Sequence, residues 1–455
     1  MDVRFVRWVA WERHAAADLL AISSRIFLMR AVEFVRAAAT ALLGSSQQIG
    51  RGAATAGAIA ALAGVAYANT MPVMERPRPD YDAKGVPLGA FRAFPTLDTA
   101  LLISDNVFET TNATKSDVKL QVSPAIKIVS EWSQHLVEIY GRLSADRYAD
   151  YSSENVTDWE VGAKGRLDIQ RGSAAFAEIS DGVGHEGRSS PNSPGNIAEL
   201  VTYSLFHAGA SISAQPNHLR MLLGLDHNRY SYDATRLNGG GFLNNGDRDR
   251  DEFRVRGRVS LEVSEGYLGF VEAVFDTRDF DRTLDRTGVN RDSHGLNINV
   301  GMEFALVEFL QGEAFIGHLE RQFETPLRDF SGFNYGATLK WSATPLTTVR
   351  FDAARVLNDT TVAGASVASD RSIGIGIDHE LRRNVIIQAS LARIDSDFIG
   401  IPREDESIEG RLGAIYLIDR NLSANAGYER LERESNVAGE DFSEDRFNVG
   451  LRVQF

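Results

Sequence analysis

The sequence contains no cysteine, so it has neither a disulfide framework nor thiol chemistry. Beyond residue 69 there is no run of eighteen uncharged apolar residues, which argues against a membrane protein built from spanning helices. Catalytic signatures are also missing: no G-x-S-x-G elbow, no H-E-x-x-H zinc motif, no phosphate-binding loop and no dinucleotide fingerprint. His185, His207, His218, His227, His294, His318 and His379 are scattered, with no serine and carboxylate spaced to join them. The expectation is a protein that is not an enzyme and has no cofactor and no metal centre. Proline is scarce, 12 in 455 residues, and falls mostly in turns and loops. A formal charge of −14 opposes a phosphate backbone, so nucleic acid is not an expected partner.

What is present is alternation. At the C-terminus Phe447, Val449, Leu451, Val453 and Phe455 share one parity, and Arg446, Asn448, Gly450, Arg452 and Gln454 share the other. The same pattern recurs at Phe253, Val255, Val259, Leu261 and Val263, with Arg254, Arg256, Arg258 and Glu262 between them. About ten residues of such a strand cross a bilayer with the apolar parity facing lipid. Eighteen segments of this kind run from 96–107 to 444–455. Their connections alternate between short turns, such as Ser264–Gly266 and Arg382–Asn384, and longer polar stretches at 185–197, 233–248, 281–292, 358–369 and 434–443. This predicts an all-β, single-chain, closed antiparallel transmembrane barrel with short periplasmic turns and long extracellular loops. The competing reading, a soluble β-protein, would have to bury eighteen one-sided strands.

Three divisions follow. Ala53–Val65 is an alanine-rich apolar run behind Arg51, and Ala66-Tyr67-Ala68 has the small-x-small form of a signal-peptide cleavage site, so 1–68 reads as an extended leader. Its removal would leave 387 residues with a formal charge of −17. Residues 69–95 contain Pro77, Pro79 and Pro87, which deny them helix or central-strand status. They read as a periplasmic arm, more a linker than a plug entering the lumen. Residues 96–455 form the barrel.

Parity assigns the lumen-facing charges: Glu138 and Arg142, then Arg254, Arg256 and Arg258, then Glu272, Glu303, Lys340, Arg350, Asp352, Glu409, Arg411, Arg446 and Arg452. Mixed charge suits a water-filled pore for polar solutes, or ion-pair ladders that stiffen the wall. Acidic loops such as 247–252, 403–406 and 440–445 read as solvated, with cation bridging to anionic surface glycolipid as the sharper alternative.

The first-strand region PTLDTALLISDNVFETTNATKSDVKLQVSPAIKI at 95–128 and the terminal FNVGLRVQF resemble the outer-membrane β-barrel porin family of type BBP2. That resemblance implies a channel in the bacterial outer membrane, often linked to exopolysaccharide export, and transfers no catalytic residues. The partners it implies are outer-membrane lipid and lipopolysaccharide, the barrel assembly machinery with Phe455 as the recognised end, and periplasmic polysaccharide-export components. Export is therefore the first functional expectation, diffusion of small hydrophilic molecules the second, and a structural or surface-interaction barrel the third.

Overall fold

A computed structural model describes residues 71–304 and 309–455. The expected leader and its cleavage site lie outside them. Eighteen long strands follow one another: β1 (Phe91–Ser104), β2 (Asp117–Ser130), β3 (Leu136–Tyr148), β4 (Val156–Gln170), β5 (Ser173–His185) and β6 (Thr202–Ala214). They continue as β7 (Leu219–Tyr232), β8 (Arg250–Ser264), β9 (Tyr267–Phe280), β10 (Ser293–Phe304), β11 (Leu310–Phe323) and β12 (Phe330–Thr344). The last six are β13 (Thr347–Asp359), β14 (Val367–Arg382), β15 (Val385–Ile399), β16 (Glu404–Leu417), β17 (Leu422–Ser435) and β18 (Phe442–Gln454). Each pairs antiparallel with its neighbours, and β18 closes on β1 from Thr96↔Gln454 to Ser104↔Arg446. Closure pairs the first strand with the last, so no terminal strand presents an open edge to hydrocarbon.

The outside of this barrel is its apolar side. Leu101, Val161, Leu225, Val300, Ile316, Leu412 and Val449, from seven different strands, are each more than half exposed. Leaving such side chains in water forgoes roughly 1.5–3 kcal/mol apiece relative to burial. Facing lipid removes that penalty. The architecture is that of a bacterial outer-membrane barrel.

Local chemistry explains where the strands depart from the sequence expectation. β1 begins at Phe91 rather than 96 and passes through Pro95. Proline is tolerated there because β18 has already ended at Gln454, opposite Thr96, so no ladder partner needs the missing N–H. A three-residue strand, Val86–Leu88, pairs with Phe91–Ala93 below the barrel.

The larger departure is at 358–369, expected to be a long outer loop. Pairing between β12 and β13 stops at Gly336↔Ala354, whereas β13 and β14 stay paired up to Asp359↔Val367. The top of the β13–β14 hairpin leaves the wall and folds inward. Leu357 and Val367 pack with Leu319 and Phe330 in a buried cluster flanked by Phe323 and Ile399. The period-two pattern continues through this hairpin, so nothing in the sequence marks where it parts from β12.

Candidate channel lumen

Alternation turns one side chain in two toward the axis, and those side chains line one interior cavity of about 3660 Å³. Its wall includes Gln170, Gly172, Gln215 and Glu265, at the periplasmic turns, and Asp247, Asp285, Arg286 and Thr361, at the extracellular end. Arg142, Arg254, Arg256, Arg258, Glu272, Glu303, Lys340, Arg350, Asp352, Glu409, Arg411, Arg446 and Arg452 all lie on that wall. Glu138 does not; it stands on β3 opposite Lys164 of β4. Phe455 is half exposed at the end of the β18 apolar face, its N–H donating to Pro95 O at 3.2 Å.

Most of these charges meet ion-pair partners, on the same strand, on other strands, or on a loop or the arm. Arg411 pairs with Glu409 and, at 3.0 Å, with Glu429. Arg446 holds Glu109 at 3.0 Å and Glu444 at 2.5 Å, and Arg452 holds Asp98 at 2.6 Å. Arg142 binds Glu160, Arg220 reaches Glu303 at 2.8 Å, and Arg350 meets Asp378 at 2.9 Å. Room for Arg350 comes from Gly376, where an added Cβ would lie 2.9 Å from the guanidinium. Arg258 lies over the Phe270 ring, 3.8 Å from its centroid, and joins Glu272 at 2.8 Å and Glu313 at 2.9 Å.

Arg254 and Arg256 differ. Both line the cavity, and neither makes an ion pair among the described residues. In register, Arg256 stands between Gly224 and Val274, which offer it no acceptor side chain. Arg254 stands between Asp226 and Asp276, and Asp276 is already held by Arg321. Among the described residues Asp352 and Arg355 of β13 and Asp370 of β14 likewise line the cavity without an ion pair.

The extracellular end is narrowed by two infolded segments. Asp359, at the hairpin tip, pairs with Arg278 of β9 and, at 3.1 Å, with Arg250 of β8. Arg291 donates to the carbonyls of Thr360 at 2.6 Å and Ala365 at 3.2 Å. The second segment is the loop 186–201. Glu186 pairs with Arg248, Arg188 with Glu154 at 2.5 Å, and Ser189 N–H donates to Glu109 at 2.6 Å. Asn192 donates to Asp359 O at 3.1 Å and accepts from Thr361 N–H at 2.8 Å. The loop is thereby stapled to the hairpin tip and to the loops after β1, β3 and β7.

At the periplasmic end the arm is no free linker. Met71, Pro72, Met74 and Glu75 line the cavity, and Val73 is fully buried against β13, its N–H donating to Thr348 Oγ1 at 2.8 Å.

The sequence named the basic residues of the wall more completely than their partners. Glu313, Asp378, Glu429 and Asp98 went unassigned although each occupies the inward parity. Opposite charge on facing strands, once register is known, would have found the last three, whereas Glu313 meets Arg258 across two intervening strands and has Glu303 and Thr338 as its register partners. Nothing in the sequence links Asp359 to Arg250 and Arg278, because that contact depends on the hairpin leaving the wall.

A family model described as "Putative beta-barrel porin 2" matches residues 78–455. No curated protein matches the chain. Among solved structures, a BenF-like porin from Pseudomonas fluorescens Pf-5 is similar at 11% identity and TM-score 0.45, covering 81% of this chain and 100% of its own. OpdK from Pseudomonas aeruginosa, solved with vanillate, is similar at 11% identity and TM-score 0.42, covering 80% and 99%. OccAB4 from Acinetobacter baumannii matches at 10% identity and TM-score 0.42, covering 84% and 100%.

Proposed function

Because the chain belongs to the beta-barrel porin 2 family, we propose that this outer-membrane channel passes small hydrophilic solutes by diffusion, favouring anions at mid-depth. The observation that carries this reading is the cavity of about 3660 Å³ lined by residues from both ends of the barrel, with Arg254 and Arg256 on its wall outside any ion pair. A polar wall replaces part of a solute's hydration, and an unpaired guanidinium in a narrow low-dielectric passage concentrates anions. Small cargo is favoured over a polysaccharide because the hairpin tip and the loop 186–201 narrow the extracellular end and are tied to each other through Asn192, Asp359 and Thr361. Export of exopolysaccharide, the first expectation from the sequence resemblance, has no such feature in its favour.

The test is electrical and genetic together. Purified protein in planar bilayers is expected to give steady ohmic conductance, with a reversal potential under a salt gradient that reports anion preference. A deletion strain is expected to secrete exopolysaccharide normally. A non-conducting barrel whose deletion abolishes secretion would replace diffusion with export.

A further inference from the structure

The arm ahead of β1 is anchored in an uneven way. Its root is dry: the Glu380 carboxylate at the end of β14 receives Arg78 at 3.1 Å and Arg76 at 3.4 Å, with all three side chains less than a tenth exposed. Arg78 also donates to Val73 O at 2.8 Å, and Arg76 to Met71 O at 3.1 Å, so the same guanidiniums fold the arm and dock it. Glu75, by contrast, pairs with Lys340 where both side chains are in contact with solvent, 39% and 27% exposed, on the cavity wall. From there the chain runs along the periplasmic rim toward β1. Pro79 O accepts from Arg420 in the turn after β16 at 2.9 Å, and Tyr81 O accepts from Gln454 at the end of β18 at 3.1 Å. Contacts therefore run from β12–β14 to β16–β18.

We propose that residues 71–82 are a plug segment: they form the periplasmic constriction of the channel, and Glu75 sets the charge of that exit. The inference rests on the reading of the barrel as a diffusion channel. A segment held only to brace the wall would bury all its polar contacts. This one presents Met71, Pro72, Met74 and Glu75 to the cavity before it continues along the rim toward β1. Neutralising the carboxylate of Glu75 leaves Lys340 as an uncompensated cation at the exit, which draws anions. Removing the Glu380 carboxylate leaves Arg76 and Arg78 buried without a counter-charge, and they move to water by withdrawing the arm.

The absence of native cysteine gives a clean experiment. In the full-length, exported protein, Val73→Cys with Thr348→Cys puts one thiol on the arm and one on the β13 residue whose hydroxyl the Val73 backbone N–H contacts at 2.8 Å. Oxidation is expected to form that disulfide and leave conductance at the wild-type level. Glu380→Gln is expected to raise conductance several-fold, and the oxidised cysteine pair, built into the same variant, is expected to return it to the wild-type level. Glu75→Gln is expected to shift the reversal potential toward anions. Gel mobility of the folded barrel controls for assembly, and Arg78→Ala is a second release variant if Glu380→Gln fails to fold. Equal conductance of native and released arms overturns the plug, as does failure of the oxidised pair to return the conductance of Glu380→Gln to the wild-type level. Absence of conductance in every variant, the released ones included, overturns the diffusion reading itself.

Discussion

The wall from β8 to β14 and the wall from β15 round to β4 carry the same kinds of ion pair under opposite conditions. In the first, Glu272 is 1% exposed beneath Arg258, and Arg321 is 3% exposed against Asp276. In the second, Arg142 and Glu160 are 41% and 25% exposed, and Arg452 and Asp98 are 51% and 36%. The infolded hairpin accounts for much of the difference, since its tip brings Leu357 and Asp359 over the inner faces of β8 to β11. One side of the barrel is a dry brace and the other a hydrated surface. Arg254 and Arg256 cross that division: they stand on the dry side yet line the cavity without a direct ion pair, their nearest carboxylates, Asp276 and Glu272, being held by Arg321 and Arg258. An unpaired cation there has water or solute as its remaining partner.

Truncating one partner of a buried pair should separate the two walls most strongly. Asp276→Ala takes the ion-pair carboxylate from the buried Arg321 guanidinium and is expected to cost about 3–5 kcal/mol. Asp98→Ala, which breaks a hydrated pair, is expected to cost about 0.2–1 kcal/mol. Urea unfolding of the two variants in the same detergent measures the contrast, and equal losses would erase the distinction between brace and surface.

Much of this was legible because the barrel obeys one rule along its length. Alternation gives eighteen strands and their faces, since lipid penalises an outward charge on any strand, and the parity of Arg350 or Glu409 follows without any knowledge of neighbours. Three-dimensional pairing was less legible. Arg78 meets Glu380 across some three hundred residues, and no local pattern records such a contact. Register decides whether an inward arginine is neutralised: Arg258 is matched by Glu272, whereas Arg256, two residues away, faces Gly224 and Val274. From the sequence the three arginines of β8 form one ladder; in the structure only two of them are unpaired.

That split makes the next prediction sharper than a test of the whole ladder. Arg254→Ser with Arg256→Ser is expected to move the reversal potential toward cation selectivity with little change in stability, because Asp276 and Glu272 keep their direct ion pairs with Arg321 and Arg258. Arg258→Ser is expected to do the reverse. It takes from the buried Glu272, and from Glu313, the guanidinium that pairs with both, and so destabilises the barrel far more than it alters selectivity. If both sets of variants shift selectivity equally and neither loses stability, pairing does not decide which charges solutes sense.

The smallest expected effect lies in the loop 281–292, outside the membrane-spanning strands. Burial alone would raise the carboxyl of Asp285, but the Thr287 hydroxyl, the Arg291 guanidinium and the Val289 amide outweigh it and hold the pKa below 3.8. Asp247, in the loop before β8, is likewise pushed up by burial and pulled lower still by the side chain and backbone N–H of Arg286. A carboxylate with a depressed folded-state pKa contributes stability that is present above its unfolded value, roughly 3.9, and is lost as pH falls through the folded value. The latch formed by Arg291 on Thr360 and Ala365 should therefore hold the hairpin tip unchanged from neutral pH down to about 4 and loosen only below that. Asp285→Asn should loosen it at neutral pH, because the contact between Asp285 and Arg291, 2.5 Å in the native chain, loses its charge. Conductance noise recorded against pH for the native and Asp285→Asn channels reports the motion of the tip. A native channel that becomes noisy well above pH 4, or a variant as quiet as the native chain at pH 7, would detach the hairpin from these two carboxylates.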